Sequence, residues 1–205
     1  MANIVMFPFP ESYVATVLVP QPDGPDAQVR FRPVLPSDVF PLKVMFDSLS
    51  QETRFFRFMY VKSEMTLDEI KAVTRIDYGT NMKVVAEVLD FPWVERFGLD
   101  LAGFAGYVDV TKGGSYDRTA EVSVVVADAW QGRGIGKRLF AHVLDLAARN
   151  GYSFAVGEML VENSKMKHLM ECMGYYVDFW CEEGLQQFCI YLDGTAGRTC
   201  ADFTS

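Results

Sequence analysis

The stretch that decides the fold runs Val124-Val125-Val126-Ala127-Asp128-Ala129-Trp130-Gln131-Gly132-Arg133-Gly134-Ile135-Gly136-Lys137-Arg138. It joins a valine run, typical of a buried strand, to a segment whose apolar residues recur at helical spacing. Glycines occupy alternate positions at the junction. Glycine lets the backbone approach a ligand closely, and the free N–H groups and dipole of a helix N-terminus attract an anion. The junction therefore predicts a site for a phosphate-bearing cofactor.

The charges near this junction support the same interpretation. Arg133, Lys137 and Arg138 crowd a helix N-terminus, where the dipole disfavours each cation by about 0.3 to 1 kcal/mol. The chain as a whole is acidic, with 19 basic and 27 acidic residues and a formal net charge of −8. A bound polyanion would explain this local excess of cations. The alternative is a solvated basic turn that happens to contain glycines.

Two other phosphate-binding loops do not fit the junction. A Walker loop would need glycine at 131 and Ser or Thr at 138, where Gln131 and Arg138 stand. The dinucleotide-binding fingerprint would need glycine at 137 or 139, where Lys137 and Leu139 stand.

Length and composition limit the class of protein. The chain has 205 residues, of which 50% are hydrophobic and 22% charged, as expected for one soluble domain. Its acidic balance argues against a nucleic-acid partner, whose phosphates need clustered cations. No apolar run reaches the roughly 20 residues of a membrane span, and Met1–Pro10 lacks the basic leader of a secretory signal. We therefore expect a cytoplasmic protein with no membrane partner.

Periodicity and turn residues predict the order of elements. Strands are expected at 12–22, 29–34, 83–88, 101–110, 119–126, 153–161, 175–181 and 185–192, and helices at 37–48, 50–57, 67–75, 134–150 and 164–172. The first two strands form a hairpin, and the strands from 83 to 126 form an antiparallel meander. Ser37 and Ser50 are the expected helix caps, and Thr66 with Glu69 forms a capping box.

With this order, the chain resembles the GNAT acyltransferase superfamily. Its signature of Gln or Arg, two residues, Gly, one residue, then Gly or Ala is met by Gln131, Gly134 and Gly136. The resemblance covers residues 27–192 and implies an α/β (α+β) fold, with a mixed, mostly antiparallel sheet of about seven strands flanked by helices and an N-terminal hairpin. Residues 1–26 are then an N-terminal extension, and residues 193–205 a tail.

The resemblance also implies the cofactor and its site. In that family the turn's N–H groups hold the pyrophosphate of acetyl-CoA, the preceding strand pairs with the pantetheine arm, and an Asn after the next strand contacts the cofactor. The corresponding residues here are Val124, Val125, Val126, Gln131, Gly132, Arg133, Gly134, Ile135, Gly136, Lys137 and Asn163.

A narrower resemblance is to bacterial protein lysine acetyltransferases of the Pat type. The similar segments are Arg32-Pro33-Val34-Leu35-Pro36-Ser37-Asp38, the Leu-Ser-x-x-Thr-x-x-x-Arg-Phe pattern within 48–58, and Ala120-Glu121-Val122-Ser123-Val124. This resemblance implies that the acceptor is a protein lysine. The alternative is that these segments are core elements shared by many GNAT proteins regardless of substrate.

Glu121 is the expected catalytic residue. A lysine amine with a pKa near 10.4 is neutral about once in 2,500 molecules at pH 7, so a base must help to deprotonate it. Glu121 matches the family's general base, and strand alternation places it on one face with Ser123 and Val125. It could act directly or through a water. The alternative is an exposed carboxylate at a strand end.

Two further groups complete the expected mechanism. A backbone N–H of Val124 or its neighbour could stabilise the oxyanion, and no covalent enzyme intermediate is needed. Many GNAT enzymes have a tyrosine seven residues beyond the motif Asn that acts as the general acid for the leaving thiolate, but Met170 occupies that position here. Tyr175 and Tyr176 lie too far along for the role to be transferred, so solvent would protonate the thiolate.

The acceptor and the assembly stay open at this stage. The aromatic cluster Phe55, Phe56, Phe58 and Tyr60 could shape the acceptor site, although core packing is the favoured interpretation. Acidic surface charge favours a cationic acceptor without distinguishing a protein lysine from a small amine. A small-molecule N-acetyltransferase and a non-catalytic acyl-CoA sensor are the alternatives, and a homodimer is compatible with the sequence.

The remaining candidate metal ligands carry no motif. Cys172, Cys181, Cys189 and Cys200 lack the spacing of a zinc site or a disulfide framework, and we expect buried free thiols. His142 and His168 fall in helical patterns and are expected to be structural or surface residues. No metal is predicted.

Overall fold

The structure, a computed structural model, describes residues 11–75, 81–89, 103–112 and 118–193. For residues 103–112 the description is of the backbone. Its strands are β1 Ala15–Val19, β2 Ala27–Pro33, β3 Asn81–Val88, β4 Gly103–Lys112, β5 Thr119–Val126, β6 Phe154–Met159, β7 Val177–Glu182 and β8 Leu185–Tyr191. Its α-helices are α1 Val39–Asp47, α2 Gln51–Phe58, α3 Leu67–Val73, α4 Ile135–Arg149 and α5 Ser164–Glu171.

The eight described strands form one mixed sheet in the order β1-β2-β3-β4-β5-β6-β8-β7. Neighbours are antiparallel except β5 and β6, which run parallel because α4 connects them. The predicted mixed, mostly antiparallel sheet is confirmed. It has eight strands rather than about seven because the first strand of the hairpin pairs with β2, from Ala15↔Phe31 to Val19↔Ala27, and so joins the same sheet.

Two of the three predicted helix caps are confirmed. Ser50 caps α2, its Oγ accepting a hydrogen bond from the Thr53 N–H at 3.1 Å. Thr66 and Glu69 form the capping box of α3. The expected cap at Ser37 is wrong, because residues 36–38 form a 3-10 turn and α1 begins at Val39.

The helix α4 follows the glycine-rich junction and packs on β4 and β5. Its apolar residues recur three or four positions apart, so they form one buried stripe. The fully buried members are Ile135, Leu139, Phe140, Val143, Leu144, Leu146 and Ala147. Gly151 follows the helix with a φ of +89°, the left-handed conformation in which glycine commonly ends a helix.

A buried ionic cluster joins the first two inner strands to the turn before α1. Arg32 on β2 donates two hydrogen bonds to the Asp38 carboxylate, at 2.7 and 3.0 Å. It donates two more to Glu87 on β3, at 3.0 and 3.1 Å, and Arg30 donates a fifth to Glu87 at 2.7 Å. Burial lowers the pKa of Arg32, but the hydrogen bonds to Asp38 and Glu87 outweigh it and raise that pKa above its usual value.

This cluster explains the first segment that resembles Pat-type enzymes. Arg32 and Asp38, its first and last residues, pair with each other and are 5% and 4% exposed. Their contacts lie within the fold. The segment therefore describes packing between β2, β3 and α1, and it carries no information about the acceptor.

The cysteines differ from expectation. Cys172 and Cys181 are free and exposed, so the prediction of buried thiols is wrong for these two, whereas Cys189 is buried. Cys200 lies outside the described residues. None of the helices in the described residues combines the length and the apolar character that a membrane span requires.

Candidate functional site

The parallel pair β5 and β6 separates partway along its length. The ladder between them runs from Thr119↔Phe154 to Glu121↔Val156 and ends there. On its other edge β5 stays paired with β4 as far as Val126, and β6 stays paired with β8 as far as Met159. We call the space between residues 122–126 and 157–159 the opening. Within it, the described strands have no ladder to each other.

Backbone groups of β5 point into the opening at every second residue. The Val122 carbonyl oxygen lies 2.8 Å from where a Cβ on Gly157 of β6 would be, so it faces β6. The Val125 carbonyl oxygen lies 3.0 Å from the corresponding point on Gly106 of β4, so it faces β4. Because the direction alternates along a strand, the N–H and C=O of Val124 face the opening.

The glycine-rich turn lies at the end of β5, where the sequence predicted an anion site. Gly132 and Gly134 have φ values of +73° and +78°. Residues that carry a Cβ rarely adopt this left-handed backbone conformation. A Cβ on either residue would meet no atom within 4 Å, so both face open space. The turn therefore leaves its backbone accessible.

The first turn of α4 supplies free donors. Its first backbone hydrogen bond runs from the Arg138 N–H to the Gly134 carbonyl oxygen at 3.2 Å. The N–H groups of residues 135–137 precede this bond and are available to an anion. Ile135 contributes its backbone only, since its side chain is fully buried.

The cations near the turn contact the N-terminal hairpin. The Arg133 guanidinium donates a hydrogen bond to Gln21 Oε1 at 2.5 Å and lies 5.0 Å from the Trp130 ring centroid. Arg138 donates to the Leu18 carbonyl oxygen. Lys137 is exposed. Arg133 and Arg138 thus have partners in the protein, which sequence reasoning did not anticipate.

Gln131 has a different neighbourhood from the other turn residues. Its Nε2 donates to the Val126 carbonyl oxygen at 3.0 Å and to Thr53 Oγ1 on α2 at 3.1 Å. Its side-chain amide therefore joins α2 to the end of β5. Gln131 thus lies in the turn, as the motif predicted, but its side-chain amide donates hydrogen bonds to groups of the protein itself.

Asp128 is the residue of this region that sequence reasoning missed. Its carboxylate accepts hydrogen bonds from the Ser50 N–H at 2.9 Å, from Ser50 Oγ at 2.7 Å and from Thr53 Oγ1 at 2.7 Å. Burial raises the pKa of Asp128, but these hydrogen bonds outweigh it and bring the pKa below its ordinary value. The predicted cap at Ser50 was the available signal, because it placed polar groups at the start of α2.

Asn163 lies at the start of α5, beyond the end of β6. Its Oδ1 accepts a hydrogen bond from the Met166 N–H at 3.1 Å, so this oxygen caps the helix. The side-chain Nδ2 is left as a donor. Helix α5 packs against the first turn of α4, since Leu169 Cδ1 lies 3.4 Å from where a Cβ on Gly136 would be.

Glu121 lies on the last rung of the ladder, opposite Val156, where the opening begins. Its side chain is exposed, whereas Val125 further along the same face is 5% exposed. Among the described residues the Glu121 carboxylate has no hydrogen-bond or ion-pair partner. It is therefore free to accept a proton from a molecule bound there.

The candidates for a proton donor differ in exposure. Met170 is fully buried in α5, and it lacks an acidic proton. Tyr175 is half-buried, and this burial raises the pKa of its hydroxyl. Tyr176 is exposed, and its hydroxyl pKa is raised by the Asp178 carboxylate. Raised pKa values make both tyrosines weaker acids.

The aromatic cluster of α2 divides between core and surface. Phe58 packs against Phe46 of α1, with ring centroids 6.3 Å apart. Phe55 and Tyr60 are 41% and 54% exposed. Core packing therefore explains Phe58, while the exposed rings remain available to a ligand.

The histidines have structural contacts. His142 hydrogen-bonds the Tyr13 carbonyl oxygen at 3.1 Å, and burial lowers its pKa. His168 is exposed and lies 3.4 Å from Cys172 Sγ. Within the described ranges, no group of three or more His, Cys, Asp and Glu side chains could hold a metal ion.

Comparison with known proteins gives a consistent family assignment. The model of the acetyltransferase (GNAT) family matches residues 57–175. An acetyltransferase of Pseudomonas aeruginosa is 29% identical over 147 residues, which is 72% of this chain and 74% of that protein.

Two solved structures share the fold. The GNAT domain of S. lividans PAT superposes with a TM-score of 0.73 at 22% identity, over 89% of this chain and 98% of that one. Spermidine N-acetyltransferase from Vibrio cholerae, in complex with CoA and spermine, gives a TM-score of 0.63 at 17% identity, over 81% and 96%.

Proposed function

Because the chain belongs to the GNAT family of acetyltransferases, we propose that it transfers the acetyl group of acetyl-CoA to the ε-amine of protein lysines. The observation that carries this proposal is the opening between β5 and β6, which leads to a glycine-rich turn with free backbone donors. The acetyltransferase activity itself follows from the family.

The residues present fit the chemistry of acetyl-CoA. The N–H groups of residues 135–137, together with the exposed backbone at Gly132 and Gly134, suit a diphosphate. Val124 offers an N–H and a C=O to the amide-containing pantetheine arm, as a strand would. Lys137 adds an exposed positive charge, and Asn163 adds a side-chain N–H donor beyond the end of β6.

Acetyl-CoA supplies the acetyl group as a thioester, from which an amine displaces the thiolate. We assign Glu121 as the general base, since its carboxylate is exposed, has no partner in the part of the chain that the structure describes, and lies where the opening begins. It accepts a proton from the attacking nitrogen, directly or through one water. The Val124 N–H, directed into the opening, is placed to donate to the carbonyl oxygen as negative charge develops there. Solvent protonates the thiolate, because Met170 is buried and carries no acidic proton.

A protein lysine is the favoured acceptor because two of the three Pat-like segments bear on this site. Ala120–Val124 contains Glu121 and Val124, and the segment around Ser50 and Thr53 contacts Asp128. The segment around Arg32 does not contribute, since it is a buried ion pair.

A small polyamine is the second candidate acceptor. The Vibrio cholerae neighbour was solved with spermine, and this chain carries a net charge of −8, which favours any cationic acceptor. Both acceptors place a primary amine beside Glu121, so the chemistry of the site is the same for either.

Release of coenzyme A is the test of the proposal. The purified protein and acetyl-CoA are incubated in parallel reactions, each with one acceptor: a lysine-rich protein, spermidine or a single amino acid. Mass spectrometry then identifies modified lysines in a cell lysate treated with labelled acetyl-CoA. The proposal predicts coenzyme A release that depends on the lysine protein, and labelled ε-amines.

The other outcomes are equally informative. Release with spermidine alone would replace the protein acceptor by a small amine. Saturable binding of coenzyme A with no release for any amine would indicate a sensor and would contradict the enzyme proposal. A cytoplasmic location, a homodimer and the division into residues 1–26, 27–192 and 193–205 stay predictions.

A further inference from the structure

A chain of hydrogen bonds runs from the start of α2 to the end of β5. Ser50, which caps α2, and Thr53 on α2 both donate to the Asp128 carboxylate. Thr53 Oγ1 also accepts a hydrogen bond from Gln131 Nε2 at 3.1 Å, and the same Nε2 donates to the Val126 carbonyl oxygen at 3.0 Å. We call these five residues the turn network.

The turn network holds the N-terminal end of the segment that must present its backbone to an anion. Gln131 lies immediately before Gly132, Asp128 lies three positions before Gln131, and Val126 ends the strand that borders the opening. Glycines at positive φ have few contacts of their own to fix them, and glycine loses more conformational freedom on ordering than other residues. The geometry of the turn therefore depends on how its preceding residues are held.

We propose that Asp128 and Thr53 are positioning residues that fix the diphosphate-binding turn by holding Gln131 against the Val126 carbonyl. This inference rests on the proposed function. It adds α2 to the donor site, through residues that precede the segment matched by the family model. Neither Asp128 nor Thr53 needs to touch acetyl-CoA for this role.

Thr53 is the residue at which the network can be tested with least disturbance. Its hydroxyl both donates to Asp128 and accepts from Gln131. Thr53→Val has nearly the same shape and removes these two hydrogen bonds together with the contact from Ser50 Oγ at 3.1 Å, whereas Thr53→Ser keeps the hydroxyl. Asp128→Ala removes the acceptor at the other end. Asp47→Asn serves as a matched control, since Asp47 pairs with Lys43 on the exposed side of α1.

The experiment measures KM for acetyl-CoA, kcat, and Kd for coenzyme A by calorimetry. Thr53→Val is expected to raise both KM and Kd about tenfold while kcat changes less than about threefold, because the turn is misplaced but Glu121 is not. Thr53→Ser restores both values. The double variant with Asp128→Ala is no worse than the poorer single variant, since residues of one network are not additive.

Three results would overturn the inference. The first is that Thr53→Val has the KM and Kd of the wild type. The second is that Thr53→Ser raises KM and Kd as much as Thr53→Val does. The third is that Asp47→Asn raises them as much as Thr53→Val does. If Asp128→Ala does not fold, as judged by circular dichroism, the two Thr53 variants decide the question alone. A wild-type protein that binds no coenzyme A contradicts the proposed function itself, which separates the two failures.

Discussion

Glu121 is the residue on which the proposed chemistry depends. Glu121→Gln keeps the shape and removes the proton acceptor, so we expect kcat to fall about a hundredfold. The Kd for coenzyme A should stay within about twofold, because the backbone donors of the turn are untouched. Rates of coenzyme A release and calorimetry measure the two quantities.

Glu171→Gln is the control for this variant. Glu171 is exposed at the last position of α5, and its substitution is expected to leave kcat unchanged. Turnover of Glu121→Gln at the wild-type rate would remove Glu121 from the mechanism, whatever the outcome for the cofactor.

Sequence reasoning placed residues well but could not assign their side-chain partners. The glycines and Glu121 lie where the motif and strand alternation predicted them. Gln131 and Asp128 form contacts with Thr53, about 75 positions earlier in the chain. Such long-range hydrogen bonds leave no periodic signal, so only the folded structure brings these residues together.

At the level of the elements, the close approach of β6 to β5 and β8 depends on the absence of a Cβ at Gly157. A Cβ there would lie 2.5 Å from Phe188 Cζ and 2.8 Å from the Val122 carbonyl oxygen. Gly157→Ala must push β6 away from β8 or β5, so we expect a loss of about 1 to 3 kcal/mol in the free energy of unfolding. Urea denaturation followed by circular dichroism measures this loss.

Gly136→Ala provides the opposite case within the same protein. Its Cβ would be 3.4 Å from both Leu169 and Val126, an ordinary contact distance, and alanine favours a helix over glycine by about 1 kcal/mol. We expect the free energy of unfolding to rise or stay constant. Equal destabilisation by Gly136→Ala and Gly157→Ala would show that the close approach at Gly157 is not the cause.

The order of elements was largely predictable because local signals set it. The capping box at Thr66 and Glu69, the valine run of β5 and the apolar stripe of α4 each lie within a short window. The start of α1 was not predictable in this way. The Asp38 carboxylate accepts hydrogen bonds from Arg32 and from the Leu35 N–H, so residues 36–38 form a 3-10 turn and the helix does not begin with a cap at Ser37.

On the scale of the whole molecule, the buried cluster of Arg32, Asp38 and Glu87 makes stability depend on pH. Burial raises the pKa of Glu87, but the hydrogen bonds from Arg32 and Arg30 outweigh it and lower that pKa. A carboxylate with a depressed folded-state pKa stabilises the protein above its unfolded-state pKa, about 4.3. This contribution is lost as the pH falls from there through the folded-state value.

Glu87→Gln tests this dependence. It removes one of the two carboxylates that pair with Arg32 among the described residues, so we expect a loss of about 3 kcal/mol at pH 7. The difference from wild type should begin to shrink below the unfolded-state pKa of about 4.3, and it should vanish as the pH falls through the lowered folded-state pKa of Glu87, because Glu87 is then protonated in the wild type as well. Urea denaturation at several pH values measures the difference, and a constant difference at all pH values would contradict the account.

The central claim is that backbone N–H groups of the glycine-rich turn hold the diphosphate of coenzyme A. It is tested most directly by following assigned amide resonances while coenzyme A, or pantetheine as a control without phosphates, is added to the protein. We predict that coenzyme A shifts the amides of residues 132–137 and of Val124, and that pantetheine shifts Val124 alone. Saturable binding of coenzyme A that leaves the amides of 132–137 unmoved would contradict the claim.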